Sequence, residues 1–450
     1  MSSEWVSVSI GEIAGDWKSS MAVGPFGSRM KADLYVPSGV RVIRGNNLSG
    51  GREPEGDYVY VTEETADSLA SCCLKPGDLV FPHRGNIGEV GITPDDGLRY
   101  MLATSLMKLS PDREKTEPLY LMYFFKSVIG RAALLMNASQ VGTPGIATPL
   151  KSLRGIQLPL PPLVVQRQIA DTLSKLDDRI ILLRETNATL EAIAQALFKS
   201  WFVDCDPVRA KLEGRAPEGM DEATAALFPD GFEESELGLV PRGWRVSTMG
   251  EVSTVGIGKT PPRKEPQWFS ESAEDIRWVS IRDMGVSGVY ASQTSEYLTP
   301  ESIQRFNVRV VPDNTTLLSF KMTIGRVAIT DGEMTTNEAI AHFKLDQQSP
   351  LTSEFIYLHL KQFNYASLSS TSSIADAVNS KTVRNIPVLV FNQAVLMAFQ
   401  NQAKPLLDRI KVIEQQAQTL ATLRDTLLPR LILGQLRLPD AELQIQKAAI

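Results

Sequence analysis

Proline pairs, a glycine–lysine run and a few histidines are the residues of this chain that could carry chemistry. An enzyme that modifies a flipped adenine needs an Asn/Asp-Pro-Pro-aromatic loop to hold the base. The chain offers Leu160-Pro161-Pro162-Leu163 and Thr260-Pro261-Pro262-Arg263, and neither fits. Gly256-Ile257-Gly258-Lys259-Thr260 looks like the end of a phosphate-binding loop. The glycine required five positions before Gly258 is instead Ser253, and Pro261 and Pro262 spoil the helix start that would face a phosphate. Pro-Asp pairs begin at Pro94, Pro111, Pro229, Pro312 and Pro439, but no Asp/Glu-x-Lys follows at useful spacing, so a nuclease centre has no support. The three histidines (His83, His342, His359) are scattered and offer no triad. Three cysteines (Cys72, Cys73, Cys205) without a Cys-x-x-Cys argue against a zinc site or a disulfide framework and fit a reducing cytoplasm.

With no catalytic constellation to position, the organisation of the chain becomes the informative feature. Leu176, Asp178, Arg179, Ile180, Thr189, Leu190 and Leu197 recur, 230 positions later, as Leu406, Asp408, Arg409, Ile410, Thr419, Leu420 and Leu427. The same shift places Lys151, Arg154 and Ile156 on Lys381, Arg384 and Ile386. Upstream, WVSVSIGEI at Trp5 resembles WRVSTMGEV at Trp244, VRVIRGNNL at Val40 resembles IRWVSIRDM at Ile276, and NIGEVGI at Asn86 resembles TIGRVAI at Thr323. A shared order and a nearly constant shift mark an internal repeat.

Each copy has two parts. RVIRG, DLVFP, EVGIT, IRWVS and RVAIT have strand-like composition with Gly, Pro, Asn and Asp between them, and one helical stretch follows (EPLYLMYFFKSVIGRAALL; SEFIYLHLKQF). This predicts a β-rich α+β block. The long helices are of another kind. Leu176, Leu183, Leu190 and Leu197 alternate with Ile180, Asn187, Ala194 and Trp201 by four and three, the a/d seam of a coiled coil. The second copy gives Leu406, Ile413, Leu420 and Leu427 with Ile410, Ala417, Arg424 and Leu431. Pro429 ends the predicted seam before Leu431, and Pro405 predicts a second helix that starts late or kinks. Two repeated helices in one chain pair most simply antiparallel, with the two blocks at opposite ends. A helix over Leu176–Trp201 would span about 39 Å, close to the roughly 34–36 Å turn of B-DNA.

At 450 residues, two or more domains are expected. The opening MSSEWVSVSIGEIAGDWKSS is no secretory signal, and the longest apolar stretch is broken by Pro387 and Asn392-Gln393, so no membrane span is expected.

The chain resembles the specificity (S) subunit of type I restriction-modification systems over nearly its whole length. The duplicated layout carries the resemblance, with LPLPPLVVQRQIADTLSKLDDRI, ALFKSWFVDCDPVRAK, FPDGFEESELGLVPRGWRV and the paired IGEVGI and IGRVAI stretches. SWFVDCDPVRAK and SELGLVPRGW are the most specific of these. The resemblance implies two target-recognition domains, each reading half of a bipartite site in double-stranded DNA, and a helical spacer that sets the gap. It implies two adenine-N6 methyltransferase (M) subunits and two restriction translocase (R) subunits as partners, and no catalysis in this subunit. S-adenosylmethionine, ATP and magnesium would then belong to the partners, in the cytoplasm. The chain divides into 1–155 (first recognition domain), 156–240 (spacer helix and connector), 241–385 (second recognition domain) and 386–450 (second spacer helix). Trp201 and Phe202 read first as core packing, with contact to a methyltransferase subunit as the alternative.

The charge is against a DNA reader: −6 overall, with 14 Lys and Arg against 17 Asp and Glu in residues 1–150, and 12 against 15 in 245–380. Local loops have to supply the basic face. In the first block these are Arg29 and Lys31, Arg44, Asn46 and Asn47, and His83, Arg84 and Asn86. In the second they are Lys259, Arg263 and Lys264, Arg282 and Asp283, and Lys321 and Thr323. Arginine reads guanine bidentately, asparagine reads adenine, and an acid accepts from cytosine. The segments ASQVGTPGIATPLK and SSTSSIADAVNSK resemble the family's Ser/Thr/Gly-rich loop near DNA. The alternatives are a specificity subunit of a related type II system and a structural coiled-coil adaptor.

Overall fold

The computed structural model describes residues 5–26, 29–48, 50–139, 144–236, 238–368 and 378–448. Residues 140–143 and 369–377, which include part of the first Ser/Thr/Gly-rich segment and most of the second, lie outside them. The chain forms two compact units, Met1–Ile181 with Gln418–Ile450, and Leu182–Ala417. Each holds an α+β block, as the repeat predicts, together with part of both long helices.

The repeat has a physical basis at its opening. Ser9 and Thr248 begin short helices with a reciprocal capping box, in which Glu12 accepts from the Ser9 N–H at 2.7 Å and Glu251 from the Thr248 N–H at 3.1 Å. The next residues, Ile10 and Met249, donate to the carbonyls of Ile156 and Ile386, both at 2.9 Å. The glycines that follow leave room for the arginines of the second motif. A Cβ on Gly11 would stand 2.6 Å from Arg154 Cγ, and one on Gly250 would stand 3.2 Å from Arg384 Cβ. Matched residues at the two ends of each block therefore touch. The strands Val6–Ser9 and Arg245–Thr248 close each block by pairing antiparallel with Gln157–Leu160 and Pro387–Val390.

In the first unit, one four-stranded sheet runs in the order Met21–Val23, Leu106–Leu109, Leu79–Pro82, Gly91–Ile92. A second runs Val59–Val61, Val40–Ile43, Tyr100–Leu102, Cys73–Leu74. The other unit repeats the plan with a five-stranded sheet centred on Ile340–Lys344 and Thr316–Ser319 and a four-stranded sheet holding Ile276–Val279 and Thr335–Thr336. Leu79–Pro82 and Thr316–Ser319 are buried throughout, which explains the apolar run Leu79-Val80-Phe81 and the Thr316-Leu317-Leu318 that matches it.

The first long helix covers Leu163–Phe198, 36 residues, and the second Gln393–Ile432, 40 residues. Both exceed the expectation. The second neither starts late nor breaks, because Pro405 and the Asn401 whose carbonyl it frees both lie on the exposed side, where water replaces the lost hydrogen bond. Its start at Gln393 is capped by Asn392, whose side chain accepts from the Val395 N–H at 2.9 Å. Pro429 also sits inside the helix, and Leu431 beyond it is buried, so the seam extends past the proline. Within the second unit, Asn187 meets the carbonyl of Ile410 and Phe198 meets Phe399, so partner numbers fall as the first helix advances and the helices run antiparallel there. The predicted seam is the buried stripe: Leu176, Ile180, Leu183 and Ala194 on one helix, and Ile410, Ile413, Ala417, Leu420 and Leu427 on the other.

SWFVDCDPVRAK ends the first helix by design of its residues. Lys199–Val203 widens into a π-turn, Cys205 takes a left-handed conformation (φ 54°), and Pro207 starts a helix over Asp206–Leu212. The widened turn aims both aromatics inward. Trp201 packs edge-on against Phe228 at 5.1 Å, and Phe202 stacks on Phe391 at 4.8 Å and meets Phe399 at 4.9 Å. Core packing is thus their role in the chain.

Candidate nucleic-acid interface

Strand register decides which loops meet. In the first unit, Val23 pairs with Met107, Pro82 with Leu106, and Ile43 with Leu102. The chain therefore leaves three strands at the same end, as residues 24–26, 44–48 and 83–86, and crosses between sheets there at Ala103–Ser105. Hydrogen bonds tie these loops together: Gly24 N–H to Leu106 O at 2.8 Å, Ala103 N–H to Ile43 O at 2.9 Å, His83 N–H to Ser105 O at 2.9 Å, and Gly85 N–H to Pro144 O at 2.9 Å. Gly24 has no substitute, since a Cβ there would stand 1.9 Å from the Ala103 carbonyl oxygen.

The second unit gathers its loops in the same way. Ile257 pairs with Ala341, Ser319 with Ile340, and Val279 with Thr336, which brings residues 258–264, 280–283, 320–324 and 337–339 to one end. Asn337 N–H donates to Val279 O at 3.1 Å and Phe320 N–H to Ala339 O at 2.9 Å, matching the contacts of Ala103 and His83. A Cβ on Gly258 would stand 2.2 Å from the Thr336 carbonyl oxygen, as Gly24's would from Ala103's. Both sets of predicted residues thus converge, each within its own unit.

Within those ends the residues divide by burial. Arg29, Lys31, Asn46, Arg84 and Asn86 are exposed in the first unit, and Lys259, Lys264, Arg282 and Lys321 in the second, with Lys321 Nζ 5.7 Å from the Phe320 ring centroid. Thr323 is half-buried. Others are used by the loops themselves. Asn47 is buried, accepts from the Arg44 N–H at 2.9 Å and donates to the carbonyls of Glu55 and Asp57. Asp283 occupies the matching place: it is buried and accepts from the Ser280 N–H at 2.9 Å and the Ser295 N–H at 3.1 Å. These two side chains staple the loops, with no group left to offer a base. Arg44 is half-buried and donates to Asp57 O at 2.9 Å. Arg263 is exposed as well, but grips Glu296 with two hydrogen bonds of 2.6 and 2.9 Å and lies over Phe269 and Trp278. His83 is buried with Nε2 3.2 Å from Thr104 O; burial pushes its pKa down, so the neutral ring donates there at pH 7.

Five exposed residues at these ends, among those described, are absent from the predicted set: Phe26, Thr104, Pro262, Met322 and Glu338. Phe26 is 57% exposed and 6.3 Å from the His83 ring. Flanking glycines in GPFGS give a signal for Phe26; Thr104 and Met322 have none in composition. Among the described residues, no group of three or more His, Cys, Asp or Glu is placed to hold a metal ion, and no helix is long and apolar enough to cross a membrane.

Comparison with known proteins agrees with this layout. The family model described as the type I restriction modification DNA specificity domain matches residues 3–192 and again 241–390. The specificity subunit of type I restriction enzyme HindI from Haemophilus influenzae is 28% identical over 82% of this chain and 88% of its own length. That of MjaIX from Methanocaldococcus jannaschii is 23% identical, covering 85% of each chain. Among solved structures, the crystal structure of a type I restriction-modification system S subunit from M. genitalium superposes with a TM-score of 0.53 at 14% identity, over 95% of this chain and 96% of that one, a likeness of fold. With two copies of the family's domain, each ending in a cluster of loops that expose basic side chains, this chain belongs to the type I restriction-modification DNA specificity family.

Proposed function

We propose that this chain is the DNA-recognition subunit of a type I restriction-modification complex, in which each loop end reads one half of a bipartite site in double-stranded DNA. The observation that carries the reading is the gathering of exposed Arg and Lys side chains, joined by Asn46 and Asn86 in the first unit, at the same end of the sheets in both repeats. Arg29, Arg84 and Arg282 reach guanine or phosphate, Asn46 and Asn86 reach adenine, and Lys31, Lys259, Lys264 and Lys321 hold phosphates. The paired helices set the gap between half-sites and recruit two methyltransferase and two restriction subunits. The chain itself performs no catalysis; S-adenosylmethionine, ATP and magnesium are held by those partners in the cytoplasm. With an overall charge of −6, the isolated subunit binds DNA weakly and the partners supply most of the phosphate clamping.

The test is base-modification sequencing of plasmid DNA from cells expressing this chain with its methyltransferase partner, each protein alone serving as control. The expected result is a methylated adenine in each half of one split motif, seen only with both proteins. A soluble complex that leaves the DNA unmethylated refutes the proposal.

A further inference from the structure

The turn after the Leu79–Pro82 strand and the turn after the Thr316–Ser319 strand place their positive-φ residues alike. Both take a positive φ twice, three residues apart: Gly85 (84°) and Gly88 (99°) in the first, Met322 (59°) and Gly325 (89°) in the second. Three of these positions hold glycine, the residue that adopts such angles without steric cost. The fourth holds methionine. Thr323 N–H donates to Lys321 O at 2.6 Å across Met322, which makes the turn the strained, positive-φ form of the γ-turn. The strain gains no packing, since Met322 is 86% exposed, the most exposed large apolar side chain among the described residues. A strained backbone that holds an unbranched apolar side chain out in water, beside Lys321, points to a contact made outside the folded chain.

We propose that Met322 is a specificity-determining residue that makes apolar contact with a DNA base in the half-site read by the second unit. This rests on the reading of the loop ends as the DNA-facing surface. DNA offers two apolar partners there: the thymine methyl group in the major groove, and the face of a base where a step opens around an inserted side chain. Methionine suits either, being flexible and polarizable. In the first unit Gly85 at the matching position has no side chain to offer, and exposed Phe26 is the apolar group of that end.

The experiment uses the full-length chain in complex with its methyltransferase partner. Site-specific methylation by the wild-type complex tests the recognition reading by itself. Given that methylation, Met322→Gly is compared with wild type on a duplex carrying the methylated motif and on a scrambled duplex. Glycine removes the side chain and relieves the backbone, so the melting temperature stays unchanged or rises by roughly 2–4 °C. Affinity for the motif falls about ten-fold, the size of one base contact, while scrambled DNA binds within about two-fold of wild type. Met322→Leu retains most of the affinity. A duplex with deoxyuridine for thymine that mimics the loss in the wild-type complex identifies the methyl group; 2-aminopurine fluorescence that rises with wild type but not with Met322→Gly identifies insertion. The proposal is overturned if Met322→Gly binds the motif as wild type does, if it loses motif and scrambled duplex alike, or if it fails to assemble with the methyltransferase subunit.

Discussion

Asp177 is where a single substitution tests how the first unit holds its helices. Its carboxylate accepts from Tyr123 Oη at 2.6 Å on one oxygen and from Arg424 Nη1 at 2.6 Å on the other. Only 12% of the Asp177 side chain and 28% of Arg424 remain exposed, and Tyr123 is buried. Asp177→Ala strands the Tyr123 hydroxyl, a loss of about 1.5–3 kcal/mol for a charge-assisted bond. Arg424 keeps Asp425 at 2.8 Å, so its share is smaller than the several kcal/mol of a fully orphaned buried charge, about 1 kcal/mol. The total is about 3 kcal/mol, or roughly 6–12 °C in the melting of a unit this size. Differential scanning calorimetry reads the shift. A cycle combining Asp177→Ala with Arg424→Ala measures the pair, with an expected coupling above about 0.5 kcal/mol. A melting temperature within about 1 °C of wild type, or strictly additive single effects, refutes the account of this network.

Two more substitutions probe the second helix. Pro405→Ala restores an N–H within the helix at an exposed position, and calorimetry is expected to show the second unit stabilised by about 1–3 kcal/mol; no gain would mean that the proline carries a packing role. Glu414 accepts from the Val289 and Tyr290 N–H groups at 2.9 and 3.3 Å, yet burial, reinforced by Glu191 and Asp331, pushes its pKa up to about 7. The folded chain then holds a proton that the unfolded chain releases near 4.5, so stability falls as pH rises between those values, by up to about 3 kcal/mol, and stays lower above them. Glu414→Gln, compared with wild type from pH 5 to 8, flattens that slope; an unchanged slope shows that other groups produce it.

The parts legible in the sequence are those where local and global demands coincide. The a/d seam names the buried stripe because one spacing governs both helix geometry and burial. SWFVDCDPVRAK announces its stop through Pro207 and its aromatics. What stayed hidden depends on which way a residue faces. Pro405 reads as a breaker, and only its position on the wet side of the helix lets the helix continue. Asn47 and Asp283 have the composition of base readers, but the loops turn them inward to hold backbone N–H groups. Arg263 has the charge to hold DNA, and the sequence does not show that it also pairs with Glu296. For Met322 the sequence shows a methionine among turn residues, and only the backbone angle reveals that glycine would fit better.

The make-up of the first unit has a consequence for synthesis. Leu173, Leu176 and Ile180 are buried in a unit that is completed by Gln418–Ile450, so all of Leu182–Ala417 is translated before Leu420, Leu427 and Leu431 exist. At about 5–20 residues per second the wait is roughly 10–50 s. The contiguous second unit closes first on the ribosome, while the earlier stripe stays open to chaperones or to a partner. A stall within that interval releases a nascent chain with an uncovered greasy helix, which the cell's quality control can recognise before any reader of DNA is complete.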